Sequence, residues 1–206
     1  MGAPDKTSDK KKRGGDKRER ILLAATKVFA QNGFYATRVS EIAKAAGVAD
    51  GTIYLYFENK DDVLISIFQD RIGRLLKILG KVVEEETTVE ARVRRIVELQ
   101  LGLLEDQRDL AEVITVNLRQ SSRLLKQYAA PLFIQYLELM AKVIADGQKE
   151  GVLRDDIHPK VAARVLWGGL DGIALTWALG EKSEPVKLRK AASQFAALYL
   201  DGLRKR

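Results

Sequence analysis

Residues 51–57 read Gly-Thr-Ile-Tyr-Leu-Tyr-Phe, so Thr52, Tyr54 and Tyr56 follow Gly51 at alternate positions. The chemistry these side chains offer is hydrogen bonding and apolar contact. Thr52 can donate or accept at a base edge, and its methyl can touch a thymine methyl. Tyr54 and Tyr56 carry hydroxyls that reach phosphate oxygens. Lys60 stands just beyond, where the next helix should begin, and is placed for a phosphate. Thr37, Arg38 and Ser40 open the preceding helix, whose first N–H groups lack intrahelical partners and favour an anion. The plainer reading of the same spacing is a pair of amphipathic helices with ring-packed surface tyrosines. Bond-making chemistry has less to work with. There is no Cys and a single histidine, His158 in Asp-Ile-His-Pro, which reads as a turn or cap residue before a helix. No Gly-rich phosphate loop and no metal-ligand spacing occurs. An enzyme, a metal and a resident cofactor are therefore not expected.

These residues need short helices to present them, and the spacing supplies them. A first helix is expected from Asp16 to Gln31, with Ile21, Leu22, Ala25, Val28 and Phe29 on one face. Asn32-Gly33 ends it. Thr37 is the expected N-cap of a second helix carrying Val39, Ile42, Ala43 and Ala46. Gly47 stops that helix, and Asp50 should cap a third, Gly51 to Phe57. Small Ala43 and Ala46 let two helices cross closely, and Gly47 permits a sharp turn: a helix-turn-helix, whose second helix enters the major groove by its N-terminal end. Ile53 and Phe57 should face inward. Asn59 should cap a long fourth helix, Lys60 to about Gly80. Further helices are expected at 88–105, 110–118, 122–150, 159–179 and 185–203, with Pro131 kinking or dividing the third of this group. The fold class is all-α, with about nine helices and no strand. A basic disordered arm (1–15), a helix-turn-helix domain (16–60) and a larger helical domain (61–206) make up the chain.

Charge agrees with a polyanionic partner. The net charge is +7, and residues 1–20 hold eight Lys/Arg against four Asp/Glu. The bland alternative for residues 1–14 is a solvated leader. Behind the first charged residues there is no apolar stretch of signal-peptide type, and no apolar run approaches the ~18 residues of a membrane helix. A cytoplasmic protein with no membrane partner is expected, and the lack of Cys fits that reducing compartment.

The runs Phe29-Ala-Gln-Asn-Gly-Phe-Tyr-Ala-Thr, Ile42-Ala-Lys-Ala-Ala-Gly-Val, Gly51-Thr-Ile-Tyr-Leu-Tyr-Phe and Lys60-Asp-Asp-Val-Leu resemble the signature of the TetR family of transcriptional regulators. The match covers residues 17–68 without a gap. It implies an all-α fold, three helices for DNA and about six for ligand and dimer. It carries recognition-helix contacts over to Thr52, Tyr54 and Tyr56, and a helix-four lysine to Lys60. Many members have His where Tyr56 stands; tyrosine keeps the polar tip without the charge. The segment 47–68, Asn117-Leu-Arg-Gln-Ser, and Leu170-Asp-Gly with Thr176-Trp177 are similar to the FadR-type branch, which represses fatty-acid degradation and releases DNA on binding long-chain acyl-CoA.

In the larger domain the last two helices are apolar over a wide arc, which means burial on more than one side. Val165, Trp177, Phe195 and Leu198 are the expected dimer contacts, in a four-helix interface about a two-fold axis. A buried helix pair in a monomer is the alternative. For a small hydrophobic ligand, the candidates are Asn117, Arg119, Arg123, Phe133 and Trp167, with Arg119 and Arg123 for CoA phosphates. The same polar residues also read as a solvent-exposed helix junction. The expected function is a dimeric repressor of operator DNA with an acyl-CoA or other lipid effector. The alternatives are a repressor sensing a drug-like aromatic ligand, and an acyl-CoA carrier that does not bind DNA.

Overall fold

The computed structural model describes the backbone of residues 6–117, 119, 130–180 and 187–205, with side chains from residue 15 onward in those stretches. Among the described residues there are nine α-helices and one isolated β-bridge, Leu153 to Arg204, but no strand. The chain forms two compact units, Met1–Ile67 and Phe68–Arg206.

The first unit holds α1 (Lys6–Asn32), α2 (Val39–Ala46), α3 (Asp50–Ile53) and the first two turns of α4 (Lys60–Glu85). Ile21, Leu22, Ala25, Val28 and Phe29 of α1 are all buried, as their spacing requires. The helix starts ten residues before the expected Asp16, and residues 6–15 continue it. Lys10, Lys11, Lys12 and Arg13 are good helix formers, set against Thr7, Ser8, Asp9 and Gly14-Gly15. Asn59 caps α4 by accepting the Asp62 N–H at 2.9 Å. Asp61 and Asp62 put negative charge in the first turn, where the helix dipole favours it. The unit boundary falls inside α4 after Ile67, seven residues beyond the expected division after Lys60, and Val63, Leu64 and Ile67 of its opening turns are buried.

The second unit holds the rest of α4, then α5 (Val89–Glu105), α6 (Arg108–Glu112), a π-helical turn (Val113–Asn117), α7 (Ala130–Lys149), α8 (Pro159–Leu179) and α9 (Leu188–Leu203). Helix α5 packs along α9, and α7 along α8. Ile96, Leu101, Met140, Ile144, Leu166 and Leu200 form the centre of the core. Val113–Val116 is a run of four β-branched residues, poor in an α-helix, and here the expected single helix widens into the π turn. Pro131 sits in the first turn of α7, where its missing N–H costs little; residues 122–129 of the expected helix lie outside the described residues. His158 caps α8: its Nδ1 accepts the Lys160 N–H at 3.2 Å, with Pro159 next. No described helix is long and apolar enough to cross a membrane.

Candidate nucleic-acid interface

Helices α2 and α3 are joined as a helix-turn-helix requires. Gly47 takes φ +64°, a left-handed conformation that a side chain would strain. Its N–H bonds Lys44 O at 3.2 Å, and the Val48 N–H bonds Ala43 O at 3.0 Å, closing the end of α2. Ile42, Ala43, Ala46, Ile53 and Phe57 are buried and hold the two helices to α1 and to each other. Two residues that spacing did not single out reinforce the turn. Arg20 of α1 donates to Ala46 O at 2.8 Å, and the Arg18 guanidinium lies 5.4 Å from the Phe57 ring centroid. Their partners are 26 and 39 positions away, beyond any local pattern.

Arg38, Ser40, Gly51 and Tyr54 are exposed, Tyr54 to 57%, while Thr52 and Tyr56 are half-buried. A concavity of about 440 Å³ gathers Val39 and Ser40 of α2 with Thr37, Arg38, Asp50, Tyr54 and Lys60. The cap of α2 is Arg38, not Thr37: the Glu41 carboxylate accepts the Arg38 N–H at 2.7 Å. Thr37 is only 3% exposed, and its hydroxyl donates back to Gly33 O at 2.8 Å, so it braces the α1–α2 connection. Ala49, not Asp50, occupies the N-cap of α3, and Asp50 is its first residue. The Lys60 ammonium points at carbonyls of the α1–α2 connection: Phe34 O at 2.7 Å, Tyr35 O at 3.1 Å and Thr37 O at 2.9 Å. Spacing had placed it on a phosphate.

In the second unit, Phe133 of α7 meets Trp167 of α8 edge to face, with centroids 4.7 Å apart. One turn further along α8, Asp171 forms an ion pair with Arg119. An aromatic pair and an ionic pair thus stand four residues apart on one helix. Arg119 was expected to be open to phosphates; its guanidinium here faces a carboxylate 52 positions away, which no local pattern signals. Asn117 is buried in the π turn, with its amide donating to Glu112 O at 3.5 Å. Burial raises the Glu112 carboxyl above the usual carboxylate range, with Asp109 adding to the shift. Arg123 lies outside the described residues.

Residues 21–67 match the family model described as bacterial regulatory proteins, tetR family, and residues 68–202 match the C-terminal region of YsiA-like proteins. The chain belongs to the TetR family. It is 34% identical over 162 residues to the fatty acid metabolism regulator protein of Bacillus subtilis, covering 79% of this chain and 84% of the relative. The crystal structure of the transcriptional regulator FadR from Bacillus subtilis in complex with stearoyl-CoA superposes with a TM-score of 0.83 at 31% identity, over 89% of this chain and 98% of that one. FadR from Bacillus halodurans, a fatty acid degradation regulator, gives 0.85 at 36% identity, over 92% and 97%.

Within this TetR-family regulator, the four expected dimer contacts divide in two. Val165 and Leu198 are 57% and 74% exposed. Phe195 is half-buried against its own chain: an added Cβ at Gly169 of α8 would collide with its ring, and it stacks on Tyr199. Trp177 is also engaged internally, under the Arg108 guanidinium at 4.7 Å. Arg108 donates to Trp177 O at 3.1 Å and to Gly180 O, and so satisfies the open carbonyls at the end of α8.

Proposed function

We propose that the protein is a dimeric repressor that releases operator DNA when a long-chain acyl-CoA binds its second unit. What carries the reading is the likeness to FadR bound to stearoyl-CoA, which spans 98% of that chain and therefore both halves of the molecule. The local arrangement supports it. Trp167 and Phe133 offer an apolar, aromatic contact to an acyl chain, and Arg119, one turn away, would exchange its Asp171 carboxylate for a CoA phosphate. On DNA, Thr52 and Tyr54 read and touch bases, with Gly51 letting the backbone approach. Arg38, Ser40 and Tyr56 hold phosphates. Exposed Val165 and Leu198 supply apolar surface for the two-fold contact between α8 and α9 of two subunits.

A ligand shifts DNA affinity only through preference for the DNA-incompetent state, and the effect is reciprocal. Gel shifts on duplexes selected by the protein from a random-sequence pool, titrated with acyl-CoAs of several lengths, test this. Release by stearoyl-CoA and not by free stearate is the expected result. Release only by an aromatic drug, with no acyl-CoA active, overturns the fatty-acid reading and leaves the regulator.

A further inference from the structure

Lys60 is the first residue of α4, and its ammonium carries three hydrogens. Three carbonyl oxygens stand within hydrogen-bond reach of it, those of Phe34, Tyr35 and Thr37 at 2.7, 3.1 and 2.9 Å. The same nitrogen lies 4.7 Å from the Phe34 ring centroid, within the range of a cation–π contact. All three carbonyls belong to the connection between α1 and α2. Thr37 immediately precedes Arg38, the N-cap of α2.

That connection is itself firmly seated. Phe34 is 3% exposed and packs on Phe29 with centroids 5.4 Å apart. Thr37 is buried and bonded to Gly33 O. One ammonium therefore ties three residues of this seated segment to the start of α4. In this arrangement three carbonyls take up the hydrogen-bonding capacity of the ammonium.

We propose that Lys60 is a positioning residue of the DNA-binding unit: it fastens the α1–α2 connection to the head of α4, and so fixes where Arg38 and Ser40 meet the phosphate backbone. The proposal rests on the family's DNA binding and is independent of the ligand. It also requires lysine in particular. A tetrahedral ammonium can aim three N–H bonds at three converging oxygens. The guanidinium of arginine is planar and forked, suited to two parallel acceptors.

The two roles predict opposite outcomes for Lys60→Arg. A phosphate ligand tolerates arginine, which binds phosphate well. A three-carbonyl clamp does not. Full-length Lys60→Arg and Lys60→Met would be compared with the wild type on a duplex selected from a random-sequence pool and on mixed-sequence duplex DNA, across a salt series. The expected result is affinity for the selected duplex at least about tenfold weaker in both variants, Lys60→Arg included, and a reduced preference for the selected duplex. Backbone amide exchange at residues 34–38 should rise in both without DNA. Arg38→Gln serves as the calibration, because losing a true phosphate contact lowers the slope by about 0.9 per contact. Two results overturn the proposal. One is wild-type binding by Lys60→Arg, with a slope loss of that size in Lys60→Met. The other is unchanged amide exchange at 34–38. If Lys60→Met fails to fold by circular dichroism, Lys60→Arg and its amide exchange decide the matter alone.

Discussion

Tyr54 is more than half exposed, while Phe57, three residues on, is buried. That contrast separates what reads DNA from what holds the reader in place. Tyr54→Ala should weaken binding to a selected duplex, and Thr52→Ala should relax base preference, with about 1–3 kcal/mol of discrimination lost at the base Thr52 meets. Repeating the duplex selection with each variant measures both, and unchanged circular dichroism confirms that the fold survives. Elsewhere a single residue reports on stability. Burial pushes the Tyr136 phenol up to about 12 from its ordinary 10.0, partly offset by its hydrogen bond with Gln100. The folded state thus keeps a proton that the unfolded chain gives up. This contribution is complete below pH 10 and disappears as pH climbs through about 12. Alkaline denaturation followed by circular dichroism should show it, and Tyr136→Phe should flatten the stability profile in that window.

At the level of elements, the helix-turn-helix was largely legible in the residue order. Apolar residues at three and four, Gly33 and Gly47 at helix ends, and Asn59 before α4 are local signals, and each is where the structure uses it. What could not be read there depends on partners far along the chain. Thr37 and Lys60 have the right types and positions for a phosphate, and only the folded connection shows what they bond. Arg119 reads as a free cation until Asp171 is brought beside it. The same limit applied to α8 and α9: a wide apolar arc predicts burial on two sides but not which residue serves which side. Phe195 lies on Gly169, whereas Leu198 faces outward. Leu198→Asp should therefore separate the proposed dimer with the thermal melt of the monomer little changed. Phe195→Asp should lower the melt itself, because it places a carboxylate against a packed core. Light scattering together with calorimetry distinguishes the two; a dimer that survives Leu198→Asp, Val165→Asp and their combination would argue against this face.

For the molecule as a whole, α4 is the element with residues in both units. Its 26 residues extend about 39 Å at 1.5 Å per residue. On the proposed reading, ligand and DNA are coupled, so a selected duplex must weaken stearoyl-CoA binding by the factor by which stearoyl-CoA weakens DNA binding. Calorimetric titration of stearoyl-CoA with and without duplex measures this, and equal affinities would contradict the coupling. The pairing of α5 with α9 carries a different message, about how the molecule is made. Helix α5 ends at Glu105, and the helix that covers it begins at Leu188, near the end of the chain. Residues 1–67 form a compact unit of their own, and N-terminal units generally fold first during synthesis. The second unit cannot be completed so early, because α5 packs most extensively on α9, the last helix of the unit. During biogenesis, then, a finished DNA-reading unit precedes its regulatory half.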